Sequence, residues 1–301
     1  MKLTKKQTAF LLIKIAVSGT LLTYIFKKAG LEQVLNHFQS MNLWLFGLSS
    51  LLYVLAMFFS ANRWALLLEE PYPIKKIFSL CMIGSFFNNL LPGAVGGDAV
   101  KAYYLYKDTR KGGSSIGSVF MDRYIGLSAL LSLGLVSGIV AFSELKTLGM
   151  HLVIPALFCL FAVGSLLFFR LRIGRRFSAV SDFYDYFHRS IRNKTMLMKA
   201  FGLSLVVQAL SLLMIYLIAR GIDQKLTFTA LFVFVPIISI ITMLPISISG
   251  LGVRESAYVL LFGLTGVPAE ASMSISFLWF LSIVATSLIG LVEYLRYRRL
   301  P

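Results

Sequence analysis

Lys101 and Arg254 each follow a proline, Pro92 and Pro245, at the same spacing inside an apolar stretch. The strings around them match further: LLPGAVGGDAVKAYY is answered 153 positions later by MLPISISGLGVRESA, with Gly97 answered by Gly250 and Val100 by Val253. Proline breaks a helix because it lacks a backbone donor. Lipid offers no water to the groups this frees, so each break must be sheltered by protein or by a wet cavity. The helix that restarts after each break presents unpaired N–H groups and the positive end of its dipole, a ready anion site. A Lys or Arg one turn or less further on adds a full positive charge. The chemistry this implies is anion binding, with Lys acting as a point charge and Arg as a two-pronged fork. A lipid phosphate is the natural guest.

The candidate substrate-binding set is Asn88, Asn89, Pro92, Gly96, Gly97, Asp98, Lys101, Asp122, Arg123, Pro245, Ser247, Ser249, Gly250, Arg254 and Glu255. Each has a competing role. Lys101 and Arg254 could snorkel to opposite interfaces, and Asp98 could simply cap its half-helix. Glu255 is either the ion-pair partner of Arg254 or a proton carrier. Asp122 and Arg123 are neighbours and so point in different directions. Asp122 is expected to face a base such as Lys101, and Arg123 a lipid phosphate or Asp98. Asn88 and Asn89 line the cavity or satisfy broken backbone. Arg63 and Trp64 read as anchors at a membrane boundary. Signals for catalysis are weak: HExxH, P-loop and GxGxxG strings are absent, and His37, His151 and His188 lack metal spacing. Asp98, Asp108 and Asp122 are the loose candidates for a transferase, and no cofactor is expected.

The elements that must position these residues are membrane helices. Hydrophobic residues make up 57% of the 301, charged residues 14%, and the mean hydropathy is +0.80, which excludes an ordinary soluble domain. Six full spans are expected, at 8–26, 42–68, 115–142, 150–169, 198–219 and 271–295. The run after MKLTKKQ is too long for a signal peptide and reads as the first helix. Two further stretches, 77–106 and 228–264, are broken at the repeated motif and read as re-entrant hairpins. The net charge of +16 suggests nucleic acid only until the charges are placed: most of the 29 Lys and Arg sit in short loops on one side, which puts both termini in the cytoplasm of a plasma membrane. The expected fold is all-α, one membrane domain over 1–301. Its halves, 1–142 and 150–301, form an inverted-topology repeat. The stretch 177–188, with Phe177, Val180, Phe183, Tyr184 and Phe187 at helical spacing, is expected to lie on the cytoplasmic surface. Cys81 and Cys159 read as packing residues.

At its motifs the chain resembles the flippase-like family typified by the transmembrane region of lysylphosphatidylglycerol synthases. PGAVGGDAVKAYYLY is similar to that family's first signature and PISISGLGVRESA to its second; MDRYIGL and NRWALLL also fit. Ser249 departs from a position that is often Gly. The resemblance implies lipid translocation, carried over to Pro92, Gly96, Gly97, Asp98, Lys101, Pro245, Gly250, Arg254 and Glu255. With no synthetase domain expected, lipid aminoacylation is not.

The reading is therefore a flippase or scramblase-like transporter of an anionic phospholipid or polyprenyl-phosphate lipid, rather than an enzyme. The alternative is a membrane enzyme or enzyme subunit in lipid or envelope glycolipid synthesis. Expected partners are lipids with anionic head groups and, as an option, a separate cytoplasmic lipid-synthesising enzyme docked on the basic loop 170–194.

Overall fold

The computed structural model describes residues 5–90, 96–171, 178–244, 247 and 249–298, and among them every regular element is helical. The first half contains α1 (Lys5–Ala29), α2 (Leu31–Ser40), α3 (Leu43–Leu66), α4 (Ile74–Leu90), α5 (Gly96–Thr109), α6 (Gly112–Val140) and the short α7 (Phe142–Thr147). The second contains α8 (Val153–Leu171), α9 (Ser178–Arg192), α10 (Lys194–Gly221), a π-helical segment (Thr229–Phe234) running into α11 (Val235–Met243), then α12 (Val253–Gly263) and α13 (Ala269–Arg298).

Five of the six expected spans fall on helices long and apolar enough to cross a bilayer: Leu43–Leu66, Gly112–Val140, Val153–Arg170, Lys194–Gly221 and Ala269–Tyr297. At about 1.5 Å per residue these reach or approach the ~30 Å hydrocarbon thickness. The sixth falls on α1, a helix of 25 residues. Leu160, Val163, Leu166 and Leu167 stand exposed on α8, as do Val136, Ile139 and Val140 on α6. Such surfaces would aggregate in water and meet lipid tails in a bilayer. The chain is an all-α, multi-pass membrane protein.

Both motif stretches break into paired short helices. α4 has 17 residues and α5 has 14, each under the roughly 20 residues of a full span. The start of α4 meets the end of α5, where Lys76 Nζ lies 2.9 Å from Asp108 Oδ2. The hydroxyls of Tyr72 and Tyr297 donate to the same carboxylate. Partial burial pushes the Asp108 carboxyl up, but the hydrogen bonds from Lys76, Tyr297 and Tyr72 outweigh it and hold it below the usual carboxylate range. At the opposite tip, the Gly97 N–H donates to Asn88 Oδ1 at 2.8 Å. A Cβ on Gly97 would lie 1.8 Å from the Gly84 carbonyl oxygen, so the two helices touch backbone to backbone. The second hairpin packs α11 on α12. Its turn passes through left-handed backbone at Ser249, Gly250 and Gly252, with φ of 49°, 78° and 82°, conformations that glycine adopts without steric cost.

A shift of 153 residues carries α3, α4, α5 and α6 approximately onto α10, the π segment with α11, α12 and α13. The packing is crossed. α6 lies against α8, α9, α10 and α11, while α13 lies against α1, α2, α3 and α4. Each half thus lends its last long helix to the other. Gly290 of α13 fits so tightly that a Cβ there would come within 2.0 Å of the Met82 carbonyl oxygen.

Two expectations are corrected, and one helix is added. α9 does not use its apolar face on lipid: Tyr184, Tyr186 and Phe187 are buried, Phe187 stacks on Phe169 with centroids 3.7 Å apart, and the helix packs on α6. Phe177 lies outside the described residues. Cys81 is buried as expected, but Cys159 is exposed on α8. The amphipathic α2 joins α1 to α3 where no helix was anticipated.

Gly97→Ala and Gly290→Ala should each cost on the order of 1–3 kcal/mol, because the added carbon forces backbones apart. Gly47→Ala, with nothing within 4 Å, should be neutral or mildly stabilising in the same thermal melts in detergent. Because the folded Asp108 pKa is lowered, its contribution is complete above the unfolded value of about 3.9 and is lost as pH falls through the lower folded value. Asp108→Asn should therefore flatten the acid limb of the melting-temperature profile relative to wild type.

Candidate functional site

Helices α3, α4, α5, α6, α10 and α13 enclose a cavity of about 400 Å³ whose wall carries Arg63, Asp98, Lys101, Asp122 and Arg123. Asp122 sits between two cations, with Arg63 Nε at 2.7 Å and Lys101 Nζ at 3.6 Å. Arg63 is completed by Ser204 Oγ at 3.0 Å and Ser60 Oγ at 3.4 Å. Gly126 leaves room for it, since a Cβ there would stand 3.1 Å from the guanidinium. Lys101 Nζ also lies 4.3 Å above the Trp64 ring, whose Nε1–H donates to Ser118. All three charged residues are buried. Lys101, Arg63 and Trp64 are thus turned into the protein interior rather than toward its surface.

A second pair sits nearer the hairpin tip. Arg123 donates to both oxygens of Asp98, through Nε at 2.7 Å and Nη2 at 3.2 Å. Asp98 thus spends its carboxylate on α6 and does not cap its own helix; Asn88 does that instead, through Gly97. The Arg123 side chain remains 48% exposed. From this pair an apolar groove of about 780 Å³ runs between α5 and α6, walled by Ala102, Tyr103, Tyr106, Ile116, Val119 and Phe120.

The two tips meet. Ser249 Oγ donates to the Asn88 carbonyl at 3.3 Å, and an adjoining pocket of about 190 Å³ is lined by Asn88, Asn89, Arg123, Ser247, Ser249, Gly250 and Arg254, among others. Arg254 and Glu255 form the expected pair, at 2.9 Å from Nε to Oε1, with Ser276 bridging both. The other Glu255 oxygen accepts from the Gly252 N–H at 2.7 Å. The free amino end of α12 is therefore already partly met by a carboxylate.

Of the residues expected at the site, Asn88, Asn89, Asp98, Lys101, Asp122, Arg123, Ser247, Ser249, Gly250 and Arg254 line one or both of these adjoining spaces. Gly97 serves helix packing, Gly96 opens α5, and Glu255 is fully buried behind Arg254. Pro92 and Pro245 lie outside the described residues. Sequence reasoning missed Tyr53, Gln208 and Trp279 on the cavity wall. The lone Gln208 amide in an apolar helix was a usable signal; Trp279, one aromatic among many, was not. Of the carboxylates suggested for transferase chemistry, Asp98 and Asp122 line the same cavity but are each held by cations, and Asp108 sits apart at the open end of the first hairpin. What the arrangement can do is receive a charged, hydrogen-bonding group beside an apolar channel.

Comparison with known proteins agrees with this architecture. The family described as the lysylphosphatidylglycerol synthase TM region matches residues 11–290. A UPF0104 membrane protein of Pyrococcus horikoshii is 24% identical over 329 residues, covering 97% of this chain and 98% of its own. Another from Methanothermobacter thermautotrophicus is 24% identical over 308 residues, covering 89% and 88%. With a match that takes in both broken hairpins and every charged residue described on the cavity wall, this chain belongs to the lysylphosphatidylglycerol synthase TM region family.

Proposed function

We propose that the protein moves an anionic lipid, a phospholipid or a polyprenyl phosphate, between membrane leaflets as a flippase or scramblase-like transporter. The observation that carries this reading is a charge imbalance: among the described residues, Arg63, Lys101 and Arg123 face the cavity against Asp98 and Asp122. An uncompensated charge buried in a low-dielectric interior costs several kcal/mol. A phosphate beside Lys101 would offset it. The apolar groove at Arg123 gives the same molecule a place for its chains, so polar and apolar spaces adjoin as the two ends of a lipid require.

In this reading the protein sits in the plasma membrane with both termini cytoplasmic. Two halves, 1–142 and 150–301, enter with opposite orientation, and their re-entrant hairpins dip in from opposite sides, which supports alternating exposure of one central site. A cytoplasmic lipid-synthesising enzyme could supply the substrate at the basic segment near α9. The enzyme reading is weaker because the cavity carboxylates are engaged by cations.

Reconstituted in liposomes with fluorescent anionic phospholipid, the wild type should exchange lipid well above the protein-free rate; Lys101→Ala should slow it by about tenfold or more, the loss of one charge-assisted contact, and Arg254→Ala should slow it by leaving the Glu255 carboxylate buried and unpaired beside the hairpin tips. Equal exchange by all three at the protein-free rate would overturn the proposal. The imbalance has its own signature in lipid-depleted detergent. Lys101→Met, which removes the surplus charge, should melt no lower than wild type, whereas Asp122→Asn, which strands two cations, should lose about 3–5 kcal/mol.

A further inference from the structure

The small pocket between the hairpin tips has a chemistry different from that of the charged cavity it adjoins. Three buried atoms on residues of its wall have no hydrogen-bond partner among the described residues: Asn89 Nδ2, Ser247 Oγ and Trp279 Nε1. The amide and indole nitrogens can only donate, and the hydroxyl can donate as well. Buried donors are ordinarily paired. Three unpaired ones on α4, on the turn before α12 and on α13 therefore mark a place where acceptors come from outside the chain.

Charge narrows the guest. The cations on this wall, Arg123 and Arg254, are each already paired, with Asp98 and with Glu255. Among the described residues no carboxylate lines the pocket. An ammonium would face two guanidinium groups with no counterion, and a second anion would find no surplus positive charge, because the surplus lies at Lys101 in the larger cavity. An uncharged group rich in acceptor oxygens fits both limits, and about 190 Å³ gives room for a small polyol or one sugar ring.

We propose that this pocket reads the distal end of the lipid head group and selects an anionic lipid that ends in an uncharged hydroxylated moiety, such as glycerol or a sugar, over one that ends in an amine. The inference rests on the lipid-binding reading above. Asn89, Ser247 and Trp279 are its specificity-determining residues, and the phosphate lies beside Lys101.

The test uses the full chain in detergent, labelled with ¹⁵N at its three tryptophans, titrated with dioctanoyl phosphatidylglycerol, phosphatidylethanolamine and phosphatidic acid. Phosphatidylglycerol should bind about tenfold or more tighter than phosphatidylethanolamine. It should also shift the indole N–H resonance of Trp279, assigned with Trp279→Phe, while phosphatidic acid, which lacks a distal group, should not. The double variant Ser247→Ala with Trp279→Phe should bind phosphatidylglycerol no better than phosphatidic acid and leave phosphatidic acid binding unchanged. The wild-type titration alone decides the matter if that variant folds poorly. Equal or tighter binding of phosphatidylethanolamine, a motionless Trp279 resonance, or a preference that survives the double variant would overturn the assignment. Liposome exchange of the same head groups separates the two failures. A wrong transport reading leaves every lipid at the protein-free rate whatever the binding order, whereas a wrong pocket assignment leaves transport intact and the binding order flat.

Discussion

Asp122 is the point on which the interior is hung. Its two oxygens take Arg63 of α3 and Lys101 of α5, so one carboxylate on α6 ties three helices together inside the membrane protein. Such a group is tolerated away from water only when its partners are themselves satisfied. Arg63 meets that condition, with two serine hydroxyls and the space left by Gly126. Lys101 does not meet it to the same degree: its carboxylate is farther away, and its other neighbour is the face of Trp64. The asymmetry between the two cations gives the cavity its character, one firmly structural charge and one with capacity to spare.

The hairpins make that arrangement available. Without Gly84 and Gly97 in contact, α5 could not lie close enough to α4 to carry Lys101 and Asp98 toward the centre. With the open end latched through Asp108 and the tip closed by Asn88, the first hairpin is fixed at both ends. The second hairpin reaches it through Ser249, whose hydroxyl donates to the Asn88 carbonyl and joins the two tips.

Much of this was legible because ionisable residues are scarce in the apolar stretches. Asp98, Lys101, Asp122, Arg123, Arg254 and Glu255 had few available mates, and the pairings of Asp122 with Lys101, of Arg123 with Asp98 and of Arg254 with Glu255 could be named from spacing and sign. The repeated motif likewise located both breaks. What stayed hidden depends on which side of a helix faces what. Arg63 near a span end looks the same whether it points to an interface or inward. The apolar stripe of α9 carries no mark that distinguishes lipid from protein, and it went to protein. Trp279 could not be singled out because its role comes from the absence of a partner.

The crossing of α6 and α13 has a consequence for biosynthesis. The wall against which α4 settles is supplied by α13, where Gly290 lies on the Met82 backbone and Glu293 accepts from Ser79 at 2.8 Å. α4 and α5 are translated some 190 residues before that wall exists, at about 5–20 residues per second. For that interval, on the order of ten seconds or more, a hairpin with small residues and polar groups on one face lacks the surface that matches it, and the arrival of α13 completes the packing of α4.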